Sequence, residues 1–160
     1  MAVADGGSPL LEVGGHVLTY LAAVGTGFLG GRLKDMVADV NSAFDQVDEA
    51  TSAGEHVLRM HAGSHHSPEA IANVFTLRSH LGVLLDRQFG KRERAIISAL
   101  TLFSDSLDQC DPSSSGALQL GQDATGAVTA VRDAQQGLRA AIAKTRKAKF
   151  AAFVGKRSLD

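Results

Sequence analysis

The residues richest in chemistry are a run of histidines, His56, His61, His65 and His66, closed by Glu69. Imidazoles and a carboxylate in one short stretch are the raw material of a metal site. Their spacing argues against one. His56 and His61 lie about 140° apart around a helix and share no face. His61 and His65 have a usable separation, but Gly63 falls between them. No cysteine is near, and neither H-E-x-x-H nor E-x-x-H pairing occurs. We therefore expect no metal and no cofactor, and read the cluster as a histidine-rich turn.

Catalytic patterns are equally thin. There is no G-x-x-x-x-G-K-[ST] and no G-x-S-x-G, and Gly25-Thr26-Gly27 is only a fragment of G-x-G-x-x-G. Cys110 closes an apolar series beside a loop, where a thiol is a packing residue more often than a nucleophile. The expectation is no catalytic residue and no enzyme.

What remains is association chemistry, in two stretches. Leu10 to Gly31 reads LLEVGGHVLTYLAAVGTGFLGG, with Glu12 and His16 early and no charge from Val17 onward. Glycine costs about 1 kcal/mol per helical position against alanine, so something other than propensity favours it here. Ala23, Gly27 and Gly31 recur every fourth residue and put small residues on one face, which permits close helix–helix approach. The association surface is expected over Val17, Leu18, Leu21, Ala23, Val24, Gly27, Phe28, Leu29 and Gly31. A membrane span needs about 20 apolar residues, and only about 15 here are free of charge. Two readings compete: a buried first helix of a bundle, or a helix that engages a membrane or its own copies.

The second stretch is basic. From Ala134 to Leu159 every charge is positive: Arg139, Lys144, Arg146, Lys147, Lys149, Lys156 and Arg157, with Phe150, Phe153 and Val154 among them. Such a segment suits an anionic membrane surface, with the aromatics entering the interface. The competing reading is a solvated face, or a partner for the acidic face formed by Asp35, Asp39, Asp45, Asp48, Glu49 and Glu55. Nucleic acid is not expected, because the net charge is −1 and no aromatic stacking platform or groove-reading motif accompanies the cations.

These stretches need helices to hold them. Leu33, Val37, Val40, Phe44, Val47, Thr51, Gly54, Leu58 and His61 alternate spacings of four and three, a heptad seam on a helix from about Gly31 to Ala62. Gly30-Gly31 reads as a stop or kink before it. Ser8-Pro9 and Ser67-Pro68-Glu69 are helix starts, with a hydroxyl to cap and a proline whose missing N–H is harmless at the first helical position. Val74, Leu77, Leu81 and Leu84 form one further seam, and Ile96, Leu100, Phe103, Leu107 and Cys110 another. Asp111-Pro112-Ser113-Ser114-Ser115-Gly116 is a loop, and the last helix is expected from about Ala117 to Lys149, with Ala124, Val128, Val131, Leu138, Ile142 and Thr145 inward.

No segment alternates with period two over a strand's length. The fold class is therefore all-α: an antiparallel up-and-down bundle of four to five helices with long heptad-patterned helices, in one domain over 1–160, with 1–8 and 155–160 loose ends. The single cysteine excludes an internal disulfide. No cationic leader precedes an apolar stretch, so the expected location is intracellular, either cytoplasmic or peripheral at a membrane.

The stretches LAAVGTGFLGG (Leu21–Gly31) and KTRKAKFAAFVGKRSL (Lys144–Leu159), set either side of a long bundle, resemble the HeLo, RPW8-like and mixed-lineage-kinase-like four-helix cell-death domains in helix order. The resemblance implies a bundle that oligomerises on a trigger and permeabilises membranes through its first helix or a basic surface. The function expected is regulated oligomerisation and membrane association, as in cell-death or defence signalling, with the chain itself, partner helices or an anionic membrane as partners. The alternative is a soluble protein–protein interaction or assembly module whose apolar helix stays buried.

Overall fold

The computed structural model describes the backbone of residues 9–89 and 93–157, and the side chains of 30, 31, 34, 35, 37–89, 93–149, 151 and 152. It is all-helical, and no strand occurs among the described residues. Among the described residues four helices follow one another: α1 (Pro9–Ala62), α2 (Pro68–Phe89), α3 (Arg94–Asp108) and α4 (Thr125–Arg157). The chain divides into two compact units, Met1–Ala38 and Asp39–Asp160, and α1 contributes to both.

Gly30-Gly31 does not stop the first helix, which runs through both glycines. Their helical cost is a free-energy penalty of about 1 kcal/mol each, and a penalty alone does not break a long helix. Termination needs a residue that leaves the helical region. That residue is Ser64, with φ 59°, at the end of α1. The His65 N–H donates to the Met60 carbonyl at 2.8 Å and the Ser64 N–H to the His61 carbonyl at 2.9 Å. This is a Schellman cap with serine in the left-handed position that glycine ordinarily takes.

Helix α2 begins as its Ser-Pro-Glu order requires. The Ser67 hydroxyl accepts from the Ala70 N–H at 3.3 Å, and Pro68 opens the helix. Helix α4 starts at Thr125, later than the expected Ala117. Gly121, with φ 83°, takes the chain out of helical geometry, and its N–H donates to the His61 carbonyl at 2.8 Å. The Asp123 carboxylate then accepts from both the Thr125 N–H and hydroxyl, at 3.0 and 2.7 Å, and fixes the start of α4.

The core of the Asp39–Asp160 unit takes residues from every helix. Val47, Val57 and Leu58 of α1 meet Val74, Leu81 and Leu85 of α2, Phe103 and Leu107 of α3, and Val131, Leu138 and Ile142 of α4. On α1 the seam residues Val47, Thr51, Gly54, Leu58 and His61 are buried, Val40 and Phe44 are half-buried, and Val37 is exposed. The side chain of Leu33 lies outside the described residues. The expected inward series, Ala124 just ahead of α4 and Val128, Val131, Leu138, Ile142 and Thr145 within it, is buried throughout. Gly54 marks a close approach, since a Cβ there would come within 2.5 Å of Leu107 Cδ2.

Candidate functional site

The most organised polar feature is a charged seam between α1 and α4. Arg132, Arg139 and Arg146 stand one heptad apart on α4, so they project from nearly one face. Each meets an acid of α1. Arg132 grips Glu55 bidentately, Nε to Oε1 at 2.6 Å and Nη2 to Oε2 at 2.8 Å. Arg139 pairs with Asp48, which also accepts from Gln135 Nε2 at 2.7 Å. Arg146 pairs with Asp39. The Arg132 guanidinium, assisted by Arg59, holds the Glu55 carboxyl below its ordinary range. Arg139 does the same for Asp48, more strongly than partial burial opposes it.

The cations also lie over aromatic faces. The Arg139 guanidinium sits 4.3 Å from the Phe44 ring centroid, and that of Arg146 sits 5.3 Å from Phe89. Lys149 reaches the same ring at 5.8 Å, donates to the Phe89 carbonyl at 2.7 Å and approaches Glu93 Oε1 at 3.3 Å. A cation on the last carbonyl of α2 satisfies an orphan acceptor and opposes the negative end of the helix dipole.

These contacts locate the predicted basic surface. Arg139 and Arg146 meet acids of α1, and Lys149 meets Glu93 and the last carbonyl of α2. Lys144 and Lys147 are exposed and make no ion pair among the described residues. The side chains of Lys156 and Arg157 lie outside the described residues. Arg132 escaped the sequence reading, which began the basic segment at Ala134. The seven-residue interval from Arg132 through Arg139 to Arg146 was the signal that joins it to the others.

Of the predicted association surface, Val17, Leu18, Leu21, Ala23, Val24, Gly27, Phe28 and Leu29 have side chains outside the described residues. Gly31 is described. It is exposed, and among the described residues a Cβ built on it would meet nothing within 4 Å. The same holds for Gly30. No helix among the described residues is long and apolar enough to cross a membrane.

The histidines are brought together only in part. His61 is 1 % exposed, and both ring nitrogens are buried without a hydrogen-bond partner among the described residues. Its ring stacks on His66, centroids 5.9 Å apart, while His65 Nδ1 lies 3.0 Å from the Gly63 carbonyl oxygen. Burial, then the neighbouring His66, lowers the His61 pKa. No group of three metal-ligating side chains occurs among the described residues. The Cys110 thiol is buried, donates to the Gly54 carbonyl at 3.6 Å and has its pKa pushed up to about 12. A protonated buried thiol is a poor nucleophile.

A feature the sequence reading missed is an apolar groove of about 500 Å³ between α3 and α4. Leu102, 65 % exposed, stands on its α3 wall, and Ala130, Ala134 and Gly137 form its α4 wall. Asp105 and Asp133 add a carboxylate to each wall. No family model matches the chain, and neither a curated protein nor a solved structure shows significant similarity to it.

Proposed function

We propose that the chain is a non-catalytic helical bundle that works by regulated self-association and association with an anionic membrane, through the apolar, glycine-dotted part of α1. The observation that carries this reading is Gly31. It closes the Ala23–Gly27–Gly31 series, a pattern that serves close approach by another helix, and among the described residues nothing lies within 4 Å of a Cβ built on it. In this proposal the neighbour is a second copy or a lipid surface. Lys147, exposed and without an ion pair among the described residues, is a cation left for lipid headgroups.

The bundle behind this helix is antiparallel and up-and-down in the same proposal, with heptad seams between its helices. Pairing of Asp39, Asp48 and Glu55 with Arg146, Arg139 and Arg132, ascending on α1 and descending on α4, supports that topology. The likeness in helix order to the HeLo, RPW8-like and mixed-lineage-kinase-like domains points the same way. A second reading, a protein–protein assembly module without membrane activity, is favoured by Arg139, Arg146 and Lys149, which face the bundle's own groups.

Light scattering of the full chain, with flotation on anionic and neutral vesicles, tests the proposal. The expected result is an oligomer that floats with anionic vesicles and is weakened by Gly31→Leu. A monomer that ignores both vesicle types overturns it. An oligomer that never floats supports the assembly module.

A further inference from the structure

We propose that the α3–α4 groove is a two-fold interface that takes α4 of a second copy of this chain. This surface is separate from Leu10–Gly31 and does not rest on the reading above. At about 100° per residue, Ala130, Ala134, Gly137, Ala141, Lys144 and Ala148 fall along one line of α4, with Asp133 at its edge. Gly137, Lys144, Ala148 and Asp133 are exposed, and the three alanines nearer the groove are half-buried. A Cβ on Gly137 would meet nothing within 4 Å, so the line is open to an approaching helix.

The charges name the occupant. Asp133 and Lys144 share this face but stand about 16 Å apart along the helix at 1.5 Å per residue, too far to pair with one another. Neither has an ion-pair partner among the described residues, while Arg132, Arg139 and Arg146 between and beside them are all engaged with α1. An antiparallel second α4 resolves both. It sets Ala130 opposite Ala148, Ala134 opposite Lys144, and Gly137 opposite Ala141. Asp133 of each copy then comes beside Lys144 of the other, twice over, as a two-fold axis demands. Small residues along the seam allow close approach, and the exposed Leu102 flanks it from α3.

The register makes a charge-swap test decisive. In Asp133→Lys both charged positions become cationic, and in Lys144→Asp both become acidic. Each variant alone therefore opposes like charges at both ends of the seam. Analytical ultracentrifugation of the full chain is expected to show a dimer for the parent and association weakened roughly tenfold or more in either variant alone. The equimolar mixture of the two variants, whose charges are complementary, is expected to recover the parent's dimerisation. Circular dichroism confirms that each variant is folded, which both exposed positions favour. A monomeric parent, dimers unaffected in either variant, or a mixture no tighter than its components would each overturn the interface. Association that survives in both variants but disappears in Gly31→Leu assigns self-association to α1 instead.

Discussion

Gly54→Ala is the sharpest perturbation of the packing between α1 and α3, because two effects of known size oppose each other there. Gly54 sits inside α1, where alanine in place of glycine favours the helix by about 1 kcal/mol. The new methyl, however, would lie 2.5 Å from Leu107 Cδ2. Leu107 is fully buried, so its terminal methyl has no solvent to swing into and the helices must part or the leucine leave its rotamer. Overpacking of this kind costs about 1–3 kcal/mol. The net expectation is a loss of about 1 kcal/mol, seen as a fall in Tm of about 3 °C for a protein of this size. The cause is checked by a double-mutant cycle in urea with Leu107→Ala. Truncating Leu107 alone costs about 2–5 kcal/mol through its cavity. In the Gly54→Ala background that cavity is partly filled, so the double variant should be more stable than additivity predicts by about 1 kcal/mol. A Gly54→Ala protein more stable than its parent, or strict additivity in the cycle, would refute the close approach.

Ser64→Gly and Gly82→Ala should each stabilise by about 0.5–1 kcal/mol in thermal melts. The first relieves a left-handed serine, and the second improves helix propensity at an α2 position where the added methyl meets nothing within 4 Å. His61, whose pKa is lowered by burial, binds a proton more readily in the unfolded chain, so its contribution to stability is intact above about pH 6.5 and lost as pH falls through the lower folded value. Urea midpoints should therefore drop between neutrality and mildly acid pH, and His61→Leu should flatten that slope; an unchanged slope would exclude His61 as its source. Asp48 and Glu55, with folded pKa values below their unfolded ones, add a second loss at lower pH, as the carboxylates protonate and release their arginines. Cys110 should resist a thiol reagent in the native protein and react at once in denaturant; rapid native labelling would show that the thiol is reached without unfolding.

The positions that recur every three or four residues were legible, and those fixed by a single long-range contact were not. Val128, Val131, Leu138 and Ile142 announce their burial by spacing alone, and Ser67-Pro68 announces a helix start by local chemistry. Residues 117–124 misled for the same reason. Leu118 and Leu120 are apolar enough to continue a helical pattern, while the contact that holds this segment in a loop, the Gly121 N–H on the His61 carbonyl, joins residues far apart in sequence. Gly30-Gly31 misled because two glycines weaken a helix without supplying the left-handed cap that ends one, which Ser64 supplies instead. In the basic segment the sign of each charge was legible but its addressee was not. An arginine a heptad from the next on a helix is matched to a facing helix, as Arg132, Arg139 and Arg146 are to α1. Asp133 and Lys144 fall outside that series, on a face that carries opposite charges three turns apart and little side-chain bulk between them. Opposite charges at such a distance cannot neutralise each other within one helix, but they do so in an antiparallel pair. The same periodicity that ties α4 to α1 thus leaves α4 one further face whose complement is itself.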